Sequence, residues 1–162
     1  MKANVLFQYN TPLKLVDVKL DKPKSGEVLL KVIAAGVCHS DLHAIHGKSP
    51  VPLPNVLGHE FVASIEEVGE GVTTVNKGDV VVSSFIWPCG KCLSCATGHE
   101  NLCATAAPIR LKGVMFDGTT RLSLPDGKPL YNFLGGGYAE YAVVPEFAVN
   151  RVPPELRKES SA

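Results

Sequence analysis

Three features of the sequence predict a mainly β fold, a barrel or sandwich with short helices and a metal-bound lobe. Apolar residues recur with a period of two along much of the chain. Fifteen glycines and twelve prolines in 162 residues imply many turns and few long helices. Four cysteines run as Cys89-x2-Cys92-x2-Cys95-x7-Cys103, a compact spacing that suits the tetrahedral shell of one zinc ion.

The elements follow in order. Val5–Tyr9 and Leu13–Leu20 read as an opening hairpin turning at Asn10-Thr11-Pro12. Glu27–Ala35 is a long apolar run between Ser25-Gly26 and Gly36, which suits a strand buried on both faces. His39–His46 lacks β-branched residues before Ile45 and reads as one or two helical turns. Phe61–Val68 alternates as a strand and ends at Gly69-Glu70-Gly71. Asn76-Lys77-Gly78-Asp79 is a turn, and Val80-Val81-Val82 a strand. Residues 88–103 form a loop held by metal, and Tyr138–Val144 is a further strand. Gly135-Gly136-Gly137 reads as a turn or a point of close packing. Pro153-Pro154-Glu155 starts a helix, with proline and an acid in its first turn. Many short strands between Gly/Pro turns favour a barrel or sandwich over a βαβ stack.

Charge and composition narrow the function. Sixteen basic residues balance sixteen acidic ones, so no basic surface points to nucleic acid. No apolar run approaches the length of about 18 residues that spans a bilayer. The cysteine cluster also admits disulfides, in three pairings. Against that, a chain of 162 residues needs no covalent staples for want of a core. After Lys2 there is no apolar segment of the signal-peptide type, which leads us to expect a reducing compartment, the cytoplasm, where clustered cysteines hold metal more often than they bridge. A redox Cys-x-x-Cys needs a βαβ context, which this sequence lacks. A shell filled by four protein thiolates leaves no place for substrate, so this site is expected to be structural.

A second metal site is suggested by Cys38, His59 and Glu60. Catalytic zinc takes three protein ligands and keeps a fourth position open, and a thiolate with an imidazole suits zinc. Gly36 and Gly58 precede candidate ligands, where a tight turn would aim a side chain inward. Asp41 is of the type that fixes a ligating imidazole. The spacing alone leaves alternatives open: a lone cysteine is often a small buried hydrophobe, and His59 alone also reads as an ordinary core or surface residue.

Taken together, Gly36-Val37-Cys38-His39-Ser40-Asp41-Leu42-His43, Gly58-His59-Glu60 and the four-cysteine lobe resemble the zinc-containing alcohol dehydrogenases of the medium-chain dehydrogenase/reductase family. Asp117-Gly118-Thr119-Thr120-Arg121 and Phe133-Leu134 add to the likeness, which runs the length of the chain. The resemblance implies a GroES-like β-barrel catalytic domain over residues 1–162, with its zinc lobe at 88–103. It implies that Cys38 and His59 are catalytic zinc ligands, with Glu60 beside the metal and Asp41 behind His59. It implies that Ser40 meets the substrate hydroxyl, that His43 completes a proton relay, and that His39 lies against the cofactor pyrophosphate. Phe85, Trp87, Phe133 and Leu134 would line an apolar substrate pocket, and Cys89, Cys92, Cys95 and Cys103 would hold the structural zinc. The implied activity is oxidation of an alcohol to an aldehyde or ketone with hydride transfer to NAD or NADP, and the implied assembly is a homo-oligomer.

The sequence also departs from the family. It has no G-x-G-x-x-G fingerprint and no strand–helix alternation to carry one, so a nicotinamide-binding Rossmann domain is expected to be missing. The family's third catalytic ligand, usually a cysteine, comes from beyond this region, and His46 and His99 are poor substitutes. The expectation is of a truncated chain that binds structural zinc, fills the second site weakly and does not turn over alcohol alone. A frayed natural terminus is the alternative reading of the last residues. Two other functional readings stand beside the main one: a stand-alone zinc-binding interaction module without catalysis, and oxidation of thiol adducts of formaldehyde.

Overall fold

The computed structural model describes residues 1–156. Strands β1 (Lys2–Leu6), β2 (Lys14–Asp17), β3 (Lys19–Leu20), β4 (Glu27–Ala35), β5 (Asn55–Val56), β6 (Phe61–Val68), β7 (Val80–Ser83), β8 (Leu122–Ser123), β9 (Pro129–Asn132), β10 (Tyr141–Pro145) and β11 (Val149–Arg151) form two sheets. The first has the order β2-β1-β5-β9-β8-β3 and the second β10-β4-β6-β7-β11. Among these pairings only β5–β9 is parallel. The stretch before β10 joins the sheets: Ala3 bridges Ala139, the Asn4 N–H donates to Tyr138 O, and the Val32 N–H donates to Glu140 O. The helices are short: α1 (His39–Ile45), α2 (Leu93–Ala96) and α3 (Ala106–Lys112). This is the mainly β, barrel-like architecture that the turn density predicts.

The main core lies against the second sheet, where Val28, Leu30, Phe61, Ala63, Ile65, Val81 and Val144 are all buried. Fully burying one such side chain contributes about 1.5–3 kcal/mol. A second cluster packs Val5, Val56, Leu122 and Leu130 under the first sheet. A third, of Leu6, Ala44, Val51 and Leu57, seats α1.

Several expected elements are revised. The opening hairpin forms, but β1 ends at Leu6, and Tyr9 leaves the ladder so that its hydroxyl can bond Val51 O. The expected second strand divides into β2 and β3, which lie at opposite edges of the first sheet. β4 is buried on both faces only in its first half; beyond Leu30 exposure alternates, with Lys31 and Ile33 outward. The last strand starts at Tyr141 rather than Tyr138. Residues 88–103 are not all loop, since α2 and a 3-10 turn at Glu100–Leu102 lie within them. Helix α3 is absent from the sequence prediction. Pro108 occupies its first turn, where the missing N–H costs nothing. Gly113, with φ of 62°, closes that helix in the left-handed conformation. Pro153–Leu156 is a turn, with the Leu156 N–H on Pro153 O; the rest of the helix expected there lies outside the described residues.

Asp117 and Arg121 serve the fold. The Arg121 side chain is only 3% exposed. It donates from Nε and Nη2 to the Glu27 carboxylate and from Nη2 to Asp117 Oδ2. Lys24 Nζ reaches the same Asp117 oxygen at 2.8 Å. Burial works against the Arg121 charge, but bonding to Glu27 and Asp117 outweighs it and raises the guanidinium pKa. Burial likewise opposes ionisation of Asp117, and the bonds from Lys24, Thr119 and Arg121 hold its carboxyl far below the usual range.

Candidate metal centres

The lobe gathers Cys89, Cys92, Cys95 and Cys103 so that their sulfurs lie within 4.8 Å of one another. All of the cysteines are free thiols. The Cys92 sulfur is 3.5 Å from that of Cys95 and 3.9 Å from that of Cys103. Zinc–sulfur bonds of ~2.3 Å in a tetrahedron place sulfurs about 3.8 Å apart, whereas a disulfide needs about 2.0 Å. The cluster therefore fits one zinc ion and not cystines. Backbone N–H groups already point at the sulfurs, Cys89 N–H to Cys103 Sγ at 3.3 Å and Cys92 N–H to Cys89 Sγ at 3.4 Å. The Thr105 hydroxyl, with the Lys91 and Cys92 N–H groups, lowers the Cys89 thiol to about 5. Burial pushes the Cys95 thiol up to about 12. A zinc ion bound there would supply the positive charge that keeps all four sulfurs as thiolates.

The second group is assembled from the ends of two paired strands. β4 and β6 are antiparallel with Ala35 opposite Phe61, and the Gly36 N–H bonds Glu60 O at 2.7 Å. Cys38 follows β4 as the residue before α1, and His59-Glu60 lead into β6. Donor atoms of Cys38, His59 and Glu60 come within 4.8 Å of one another. Glu60 thus offers the third donor atom of this group, where the sequence reading expected the third ligand to be missing. His46 is exposed beside Asn10 and His99 is exposed beside Thr97, so neither substitute joins the group. Gly58 has φ of +89°, the left-handed conformation that favours glycine. Gly36 does not, so its expected role in a tight turn is withdrawn.

His59 is 2% exposed. Its Nδ1 faces Asp41 Oδ1 at 3.4 Å, close enough for ionic attraction yet without a formed hydrogen bond. Its Nε2 meets Ser40 Oγ at 3.1 Å. A proton on Nδ1, toward Asp41, leaves the Nε2 lone pair for a metal. Burial opposes ionisation of both groups. Pairing outweighs it in each, so Asp41 titrates below, and His59 above, the ordinary value. The Ser40 hydroxyl, the Ser40 N–H and His59 together lower the Cys38 thiol. This donor set of thiolate, imidazole and carboxylate fits zinc.

The other expected site residues divide. Phe85 and Phe133 stand edge-on to the His59 ring, with centroids at 4.9 and 5.1 Å. With Leu134, Val51, Leu111 and Arg110 they line a cavity of about 570 Å³. Leu134 has φ of 54°, an uncommon conformation for a residue with a side chain. Trp87 is placed differently from expectation. It lies in the main core, with Nε1 donating to Ser84 O, and it does not line this cavity. His39 and His43 pack ring edge to face at 4.7 Å; no hydrogen bond joins Ser40 to His43 among the described residues. The sequence reading missed Tyr138, whose hydroxyl donates to Asp41 Oδ2 at 2.9 Å. It also missed Lys48 and Arg110 at the cavity wall. Nothing local in the sequence marks Tyr138, Lys48 or Arg110 for these places.

Residues 24–154 match the family described as alcohol dehydrogenase GroES-like domain. The chain belongs to that family. The GroES-like domain is 42% identical, over 160 residues and 98% of its length, to S-(hydroxymethyl)glutathione dehydrogenases of Synechocystis sp. and Escherichia coli. It spans 43% of each of those relatives. Among solved structures, an alcohol dehydrogenase zinc-binding domain protein from Burkholderia ambifaria superposes with a TM-score of 0.89 at 37% identity, over 95% of this chain and 42% of that one. Benzyl alcohol dehydrogenase from Acinetobacter calcoaceticus gives 0.88 at 34% identity, over 97% and 42%. Among the described residues no helix is long and apolar enough to cross a membrane.

Proposed function

We propose that residues 1–162 are the catalytic domain of a zinc-dependent alcohol dehydrogenase, oxidising an alcohol to an aldehyde or ketone with hydride transfer to NAD or NADP. The observation that carries this reading is the convergence of Cys38, His59 and Glu60 donors beside an apolar cavity walled by Phe85 and Phe133. Zinc bound there supplies Lewis acidity toward an alcohol oxygen. Cys38 and His59 would hold the ion with Glu60 beside it, and Asp41 would keep the His59 proton on Nδ1. Ser40 Oγ would accept the substrate hydroxyl proton as it gives up its own, and His43, which no hydrogen bond joins to Ser40 directly, would finish the relay toward solvent through the cofactor ribose. The aromatic walls exclude water and orient the carbon that gives up hydride. His39 would face the cofactor pyrophosphate, and the nicotinamide would be presented by a dinucleotide-binding unit outside these residues. Five free thiols support a reducing, cytoplasmic setting. Exposed Leu93, Leu102 and Leu111 support burial against further protein, such as other copies in a homo-oligomer.

A second reading, oxidation of a thiol adduct of formaldehyde, is favoured by the activity for which the 42%-identical relatives are named and by Lys48 and Arg110 at the cavity wall, which suit an anionic substrate tail. One experiment tests both. The full-length protein is assayed for NAD(P)H formation with simple alcohols, benzyl alcohol and S-(hydroxymethyl)glutathione. We expect turnover that His59→Ala abolishes while zinc stays in the lobe. Wild-type protein inert toward every substrate, or a His59→Ala variant as active as wild type, overturns the proposal.

A further inference from the structure

The Asp41 carboxylate has four partners, one for each of its roughly four lone-pair sites. Oδ1 accepts the Gly58 N–H at 3.1 Å and faces His59 Nδ1 at 3.4 Å. Oδ2 accepts the Cys38 N–H at 3.2 Å and the Tyr138 hydroxyl at 2.9 Å. Three of these partners are the ligand-bearing segments themselves: the backbone of Cys38, the residue before His59, and His59. Only Tyr138 comes from elsewhere in the fold.

Tyr138 is itself held on several sides. Its N–H donates to Leu57 O and its carbonyl accepts the Asn4 N–H. Its ring lies so close to the Gly58 backbone that a Cβ there would approach Cδ1 to 2.6 Å. Its single hydroxyl proton has two acceptors in reach, Asp41 Oδ2 at 2.9 Å and Gly36 O at 3.2 Å. The shorter, charge-assisted bond to the carboxylate wins. The hydroxyl is thus a fixed post anchored in the stretch before β10 that joins the two sheets.

We propose that Tyr138 is a positioning residue for the second metal site: its hydroxyl locks the Asp41 carboxylate in the orientation that sets Cys38 and His59 as a ligand pair. The inference rests on the reading of that site as zinc-binding. Tyr138 touches neither metal nor substrate; it acts through Asp41.

The test is metal binding. With zinc left in the four-cysteine lobe, Co²⁺ is titrated into the chain, and its Cys38-thiolate charge-transfer absorption is read; Cys38→Ser marks that band by removing it. Tyr138→Phe keeps the ring and removes the hydroxyl. Partners behind a metal ligand are worth about 10–100-fold in affinity, and Tyr138 stands one bond further out, so a loss of about tenfold is expected, with lobe zinc unchanged. Losing one hydrogen bond lowers the melting midpoint by only about 2–4 °C. In an Asp41→Ala background, or Asp41→Leu should that variant not fold, Tyr138→Phe should add no more than about a twofold loss, because coupled residues are not additive. Equal cobalt affinity in wild type and Tyr138→Phe overturns this inference alone, as does a full tenfold effect that persists without Asp41. A wild-type chain that takes up no cobalt beyond its lobe zinc overturns the inference together with the metal reading of the site.

Discussion

In the lobe, four sulfurs come from one short segment, Cys89 to Cys103, around a small apolar cluster of Cys95, Cys103 and Ala106, and Leu93 and Leu102 stand 81% and 64% exposed. At the second group, Cys38 leaves one strand of the main sheet and His59-Glu60 enter its neighbour, with Asp41 tied to both and to Tyr138. The lobe has little beneath it besides its own ligands, so metal has to hold its shape. The second group takes its geometry from a buried ladder. Structural sites couple binding to folding, whereas catalytic sites need a frame that stays put while the metal's open position exchanges.

The sharpest way to break this contrast is chelation. Structural zinc contributes about 10–16 kcal/mol of apparent binding free energy in small domains. Stripping it should therefore expose residues 89–112 to hydrogen exchange while the amides of β4 and β6 stay protected. Global unfolding on chelation, or an unchanged lobe, would erase the distinction between the two regions.

A smaller effect probes the frame. Arg121 and Glu27 form a buried ion pair at the start of β4. Removing one partner of a buried pair costs about 3–5 kcal/mol. Arg121→Met should lower the denaturant midpoint by a corresponding amount and leave zinc in the lobe. Replacing Glu27 with leucine in the same chain should restore much of the loss. A midpoint unchanged in Arg121→Met would show that the frame does not depend on this pair.

The smallest effect depends on pH. The Asp117 carboxyl is held low in the folded chain, so its contribution is full above the unfolded value of 3.8 and fades as pH falls through the folded value beneath it. The side chain is 39% exposed, so solvent keeps the contribution modest. The stability difference between wild type and Asp117→Asn should be constant from about pH 7 to 5 and shrink below about pH 4. A difference that grows in acid would reverse the sign of the argument.

What was legible in the sequence follows the same division. Local spacing fully exposes the lobe, because all four ligands are neighbours in the chain. Phe61–Val68 and Glu27–Ala35 were legible as strands because their patterns are long and bounded by glycine. β5, β8 and β9 are too short to carry a period. Trp87 reads as a pocket aromatic because sequence does not show which way a residue beside Phe85 turns; in the fold its indole N–H is spent on Ser84 O. Asp117 and Arg121 were marked by resemblance, but only the fold shows that Glu27, far away in sequence, makes them structural. Tyr138 was invisible for a similar reason, since its partner lies 97 positions away.

The pairing of β4 with β6 has a consequence for variation. Both feet of the excursion that carries α1 and β5 are fastened to one ladder, with the Gly36 N–H on Glu60 O across the gap. Its tip, around Lys48 to Pro50, is exposed and forms part of the cavity wall. Lengthening such a flexible tip raises the closure entropy only slowly, by about 0.6 kcal/mol per doubling. Drift in that outline can therefore reshape what the cavity admits while the spacing of sulfur and imidazole stays as the strands set it.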